Sequence, residues 1–209
     1  MQYGLMPKLM WIAFKVTFEK ALISELNVHN PKEVMKKAHK DYKMILSEVD
    51  EFDKESRFVT NILSCSMLTA VLMNLVPRPT VEQVRNYYRK AMSDNFFMQY
   101  AAKHSNSYTV KGREALKADA ERSQKTTNPY DWRFTVEDGE TINQYTATFY
   151  TCGICYFMTK WGFAEYISAM CTFDYDMAAM NNTEFTREYT LADGGPYCDC
   201  HYNHKELRG

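Results

Sequence analysis

The apolar pattern changes period at Trp132, and that change limits the fold more than any other feature of the chain. Before it, apolar residues recur every three or four positions. Trp11, Phe14, Phe18 and Leu22 share one helix face, as do Val34, Ala38, Tyr42 and Ile45, and then Val84, Tyr88, Met92 and Phe96. After it, Trp132, Phe134 and Val136 alternate with polar neighbours, and Tyr145, Ala147 and Phe149 do the same. A two-residue period puts one side of a strand in the core and leaves the other wet. The expected fold class is therefore α+β: a helical N-terminal half packed with a small, mainly antiparallel sheet and at least one helix in the C-terminal half.

Local signals set the expected boundaries. "NPKEV" offers Asn30 as a cap, Pro31 in the first turn and Glu33 reaching back. "TVEQ" makes Thr80 and Gln83 a second capping box. A helix over Phe58–Leu75, apolar on more than one side, should lie centrally. The Val84-to-Phe96 stripe fits core packing better than a ligand pocket. A short helix around Arg113–Ser123 and a polar loop lead into the mixed half. "EDGE" turns the first hairpin, a helix spans Tyr156–Met170, "FTREYTL" is a third strand and "YCDCHY" a fourth. The expected organisation is a helical region, 1–128, and an α+β region, 129–209, that carries the site and shares its core.

The chain has 209 residues, 45% of them hydrophobic, so it can bury a substantial core. Net charge is −1, and the basic "EVMKKAHKDYK" fits one solvated helix face. No basic–aromatic stripe points to nucleic acid. No run of eighteen apolar residues exists, so no membrane span is expected. "MPKLMWIAFK" carries two lysines and is not expected to act as a secretion signal. Six cysteines without an export signal suit reduced thiols and a cytoplasmic location. Oligomeric state is not legible.

Reactive side chains concentrate in "TLADGGPYCDCHYNH". On an extended strand Cys198 and Cys200 face one way, Asp199 and His201 the other, so neither pair completes a site alone. Cys152, Cys155, Cys198 and Cys200 could supply four thiolates to zinc, but the second pair is spread along a strand, which disfavours a tetrahedral site. Cys171 and Asp174 lie three residues apart in "CTFD" and share a face if helical. A carboxylate raises the pKa of a neighbouring thiol, so this pair alone is not an activated nucleophile. His29, His39 and His104 lack patterned partners, and His204 falls in "NHKELRG", which reads as a frayed tail. "DGG" is a turn that could also offer backbone N–H groups to a carboxylate or oxyanion.

"FTREYTLADGGPYCDCHY", with "TCGICY" and "CTFDYDMA" upstream, resembles the L-2-amino-thiazoline-4-carboxylic acid hydrolase-like proteins over Phe149 to Tyr202. The positions carried over are Cys155, Tyr156, Cys171, Asp174, Arg187, Gly194, Cys198 and Asp199. The sequence departs from the family pattern at Cys200, where an aromatic residue is common. The resemblance implies hydrolytic opening of a small cyclic amidine or thiazoline, with a small molecule as partner. Cys155, Cys171, Asp174, Cys198 and Asp199 would be catalytic; Tyr156, Arg187 and Gly194 would bind substrate. Arg187 would fork the substrate carboxylate. Asp174 or Asp199 would meet the ring amidine and take a proton from water. Tyr156 or a thiol would protonate the leaving sulfur. Covalent attack by Cys155, Cys171 or Cys198 and a divalent metal held by mixed ligands are the rival mechanisms. No cofactor is required by the pattern, and the metal stays open. A non-catalytic domain binding a small ligand or metal is the alternative function.

Overall fold

The structure, a computed structural model, describes residues 1–205. The helical half contains α1 (Leu5–Leu26), α2 (Pro31–Ser47), α3 (Val59–Leu72), α4 (Val81–Ser93), α5 (Phe96–Lys103) and α6 (Val110–Ser123). The second half contains β1 (Arg133–Asp138), β2 (Gln144–Thr151), α7 (Gly153–Lys160), α8 (Ile167–Cys171), α9 (Phe173–Met180), β3 (Thr183–Thr186) and β4 (Cys198–His204). The strands form an antiparallel sheet in the order β1-β2-β4-β3. This is the α+β architecture expected from the change of period. Among the described residues no helix is long and apolar enough to cross a membrane.

α3 is the central helix, with every residue from Ile62 to Leu72 buried. Its boundaries are shorter than the apolar run suggested. Around it α1, α2, α4 and α7 contribute to one apolar cluster that extends from Trp11 and Phe14 to Phe157 and Met170. The sheet joins this cluster through aromatic rings. Phe58 stacks on Trp132 at 4.7 Å and Phe134 on Phe149 at 5.2 Å. Such pairs add to the area they bury, roughly 0.5–1.5 kcal/mol each. A smaller cluster of Ala147, Ala178, Phe185 and Cys200 seals α9 against the other end of the sheet.

The capping signals divide. Thr80 and Gln83 form the full capping box of α4. Asn30 makes no side-chain cap, although Pro31 does open α2. α6 begins at Val110, three residues before the expected start, because Thr109 accepts from the Gly112 amide at 3.1 Å.

Three expectations in the second half are corrected. The helix expected over Tyr156–Met170 begins at Gly153 and stops at Lys160. Gly162, at φ +72°, ends it in the left-handed conformation that favours glycine, and Phe163 N–H closes on Met158 O at 2.8 Å. The chain re-enters α8 after a 3-10 turn at Ala164–Tyr166. The third strand ends at Thr186, because Asp199 takes the amides of Glu188 and Tyr189 away from the sheet. His204 is the last residue of β4, stacked on Tyr108 at 4.5 Å, and not part of a frayed end. The rest of that expected tail, residues 206–209, lies outside the described residues.

Candidate active site

β4 divides its side chains as alternation requires. Cys198 and Cys200 pair across from Phe149 and Ala147 on the inner face, while Asp199 and His201 pair across from Thr148 and Thr146 on the outer face. Cys200 is buried and Cys198 partly so. Opposite the inner face, α8 ends at Cys171, a single residue, Thr172, intervenes, and α9 begins, so Asp174 sits in its first turn.

Arg187 joins these two walls. One terminal nitrogen donates to Asp174 Oδ2 at 2.9 Å and the other to the Cys171 carbonyl at 2.8 Å. The guanidinium also lies over the rings of Tyr175 and Phe185, 5.3 and 5.5 Å from their centroids. Its side chain is only 7% exposed. Stacking and the two hydrogen bonds hold the fork against protein.

Protein surrounds the Asp174 carboxyl closely, yet 37% of its side chain remains open to water. That combination describes a group packed about by protein but still reached by water. Burial pushes its pKa up to about 6, outweighing the attraction of Arg187. The neighbouring thiols respond to the same surroundings. Burial and then the charge of Asp174 push Cys171 well up; burial raises Cys198, although the Leu191 amide and Arg187 oppose it; burial pushes Cys200 up to about 12. The Leu191 N–H donates to Cys198 Sγ at 3.2 Å. These cysteines are therefore thiols, not thiolates, near neutral pH.

Two further cysteines belong to this neighbourhood. Cys152 precedes α7, and its thiol is hydrogen-bonded with that of Cys155, which raises the Cys152 pKa together with burial. Cys152 lies close enough to Cys171 and Cys198 to help raise the pKa of each. Cys65 of α3, fully buried, lies behind, coupled to Cys152 and Cys171. It went unnoticed in the sequence because "SCSMLTAVL" carries the signal of an apolar helix, and a cysteine there looks like packing.

The structure thus brings Cys171, Asp174, Arg187 and Cys198 into one neighbourhood, with Cys155 joined through Cys152. Tyr156 points elsewhere: its ring meets Tyr130 edge-on at 5.0 Å and is 44% exposed. Gly194, at φ +80°, closes the 3-10 turn Leu191–Asp193, and its amide is spent on Leu191 O. Asp199 faces away and binds the Glu188 and Tyr189 amides at 3.1 and 2.7 Å, with His201 Nε2 at 3.4 Å. Burial would raise its pKa, but those amides bring it below the usual carboxylate range. Among the described residues no group of three or more His, Cys, Asp or Glu side chains is arranged to hold a metal ion.

A family model described as L-2-amino-thiazoline-4-carboxylic acid hydrolase matches residues 60–202, more than half of the chain. The chain belongs to this hydrolase family. No curated protein and no solved structure matches the chain significantly. The family's matched segment takes in α3 as well as the sheet, so it contains all of the neighbourhood of Asp174, from Cys65 to Cys200. The resemblance seen in the sequence had covered only its last third.

In this family member the Asp199 clamp carries a separate expectation. Asp199→Ala frees two amides and should cost about 1.5–3 kcal/mol, the range for hydrogen bonds to a charged group. Because the Asp199 pKa is lowered in the fold, its contribution is present above the ordinary carboxylate pKa and fades as pH falls through the folded value. Urea unfolding of wild type and Asp199→Ala at pH 7 and pH 3 should show the gap narrowing at the lower pH. An equal gap at both values would remove the charge from the explanation.

Proposed function

We propose that this chain is a hydrolase that opens a small cyclic amidine or thiazoline ring, and that its substrate is L-2-amino-thiazoline-4-carboxylate, converted to N-carbamoyl-L-cysteine. The observation that carries this reading is Asp174: a carboxyl with pKa near 6, water-accessible and held in place by Arg187. A base of that strength can take a proton from water and return it within the same turnover.

In the proposed sequence, the Asp174 carboxylate accepts a proton as water oxygen bonds to the ring carbon between nitrogen and sulfur. The tetrahedral adduct then collapses with cleavage of the C–S bond. The electron pair leaves on sulfur, and the departing thiolate takes the proton held by Asp174. The adduct's hydroxyl proton passes to the ring nitrogen, leaving a ureido group. One water is consumed and no redox change occurs. Arg187 keeps Asp174 aimed, and its positive charge favours an anionic substrate. The uncharged thiols of Cys171 and Cys198 near Asp174, with Cys152 beside them, make soft surroundings suited to a ring sulfur. Free thiols of this kind suit the reducing cytoplasm.

The test is incubation of purified protein with L-2-amino-thiazoline-4-carboxylate, a carboxylate-free aminothiazoline and a hydantoin, with mass spectrometry for addition of one water. Opening of the first in preference to the others is the expected result; no opening of any ring would sink the reading. Cys155→Ser, Cys171→Ser and Cys198→Ser should each retain turnover, with no covalent adduct on the wild type. A trapped adduct on one of these cysteines would replace activated water with covalent attack.

A further inference from the structure

α7 opens on a pair of thiols to which the ring chemistry gives no step. β2 ends at Thr151, Cys152 takes the N-cap position in an extended conformation (φ −133°, ψ 116°), and Cys155 is the third residue of the helix. Cα atoms three apart in a helical turn lie about 5 Å from each other, inside the ~4.4–6.8 Å that a disulfide spans. Between the two cysteines, Gly153 packs so closely that an added Cβ would meet the Tyr130 carbonyl and Trp132. The turn is held from behind while its sulfurs face each other: the Cys152 and Cys155 thiols are hydrogen-bonded.

This pair differs from cysteines that only fill space. Ser, Thr, Asp or Asn at an N-cap stabilises a helix by about 0.5–2 kcal/mol over alanine. Cys152 makes no cap hydrogen bond, so α7 forgoes that gain. Both thiols are half-buried and within reach of small solutes, whereas Cys65 and Cys200 are enclosed. The Cys198 sulfur already accepts the Leu191 N–H at 3.2 Å, which leaves Cys155 as the sulfur that Cys152 engages. The bond to Cys155, and then burial, hold the proton on Cys152; the nearby Ile154 and Cys155 amides oppose them without prevailing. Cys152 is thus the S–H donor and Cys155 the acceptor, so Cys155 is the sulfur placed to attack and Cys152 the one placed to resolve.

We propose that Cys152 and Cys155 form a redox-active dithiol, a modification site whose co-reactant is a low-molecular-weight disulfide. Cys155 gives its proton to solvent, and its sulfur bonds to one sulfur of that disulfide while the other leaves as a thiolate. Cys152 then gives its proton to the departing thiolate, and its sulfur displaces the second small thiolate from Cys155. The S–S bond closes between Cys152 and Cys155. Two electrons pass from the pair to the small disulfide, which ends as two thiols, and excess small thiol reverses both steps.

Exposure of the full native chain to excess glutathione disulfide tests this, with alkylation of the remaining thiols and peptide mass spectrometry. Wild type should lose two hydrogens, with the new bond mapped to Cys152–Cys155 and with Cys65 and Cys200 still free. Excess glutathione should restore the dithiol. Cys152→Ser, which cannot resolve, should accumulate one glutathionyl group at Cys155. Cys155→Ser should acquire one about tenfold more slowly or worse, having lost the attacking sulfur. A wild type that stays fully reduced would overturn the proposal. So would a bond mapped to Cys171 or Cys198, a wild type that stops at a glutathionyl adduct, or a Cys155→Ser modified as fast as Cys152→Ser. The wild-type mass is read without any ring substrate, so its failure leaves the ring-opening reading untouched.

Discussion

Asp174→Asn should lower turnover on the ring substrate by about 10²- to 10⁴-fold while leaving the fold intact, the range for removing a positioned general base. Asparagine keeps the side chain's size, and its carbonyl oxygen can still accept the Arg187 N–H that the carboxylate accepts at 2.9 Å. What it loses is the ability to hold a proton. The wild type supplies the stronger check through pH. Asp174 must be ionised to accept a proton, and burial places its pKa at about 6. The rate should therefore climb through pH 6 to a plateau above it. Below that point it should fall about tenfold per unit, as the base fraction does. Asp174→Asn should have no such limb. A variant retaining full turnover, or keeping the limb near pH 6, would assign the base elsewhere.

Gly153→Ala is the second large expectation, and its sign runs against helix propensity. Alanine at a helical position ordinarily gains up to about 1 kcal/mol over glycine. At Gly153 an added Cβ would lie 1.9 Å from the Tyr130 carbonyl oxygen, 2.5 Å from its carbon and 2.9 Å from Trp132 Cζ3. The first two are backbone atoms and cannot swing aside. α7 would have to lift from the start of the sheet, taking Cys152 and Cys155 with it. The loss should exceed the roughly 1–3 kcal/mol typical of overpacking, read as a lower urea midpoint. Gly162→Ala is the control. Nothing lies within 4 Å of the Cβ it would add, so only the φ of +72° opposes it, at about 1–2 kcal/mol. If Gly153→Ala proved as stable as wild type, the close packing of α7 on Tyr130 would not be what holds Cys152 and Cys155 in place.

The sheet was legible because β1 and β2 are wet on one side, which leaves the alternation of Phe134 and Val136, and of Tyr145, Ala147 and Phe149, visible in order. The Thr80–Gln83 box was legible because both halves of the interaction lie within four residues. The break at Gly162 was hidden, since Phe157, Trp161 and Ala164 continue a helical spacing across it and the decisive quantity is one backbone angle. Within the candidate site, the sequence could place Asp174 near Cys171 and Cys198 on the same face as Cys200, because those relations are local. It could not show that Arg187 spends its fork on Asp174 and the Cys171 carbonyl, a contact between two separate elements. Nor could it show that Asp199 holds a loop. A Cys-Asp strand looks the same in the sequence whichever of its faces turns toward Asp174.

β4 carries two unrelated duties on one short ribbon: thiols for the interior at 198 and 200, a clamp for the outer loop at 199. Its length can therefore change only in even steps. Deleting Cys198 would exchange the two faces downstream of the cut, presenting the Asp199 carboxylate to the apolar interior and the Cys200 thiol to the loop amides. Removing two would shorten the ribbon but keep every remaining side chain on its own side. Parity, more than the identity of any single residue, is what this strand protects, and a loop graft or circular permutation in this protein has to respect it.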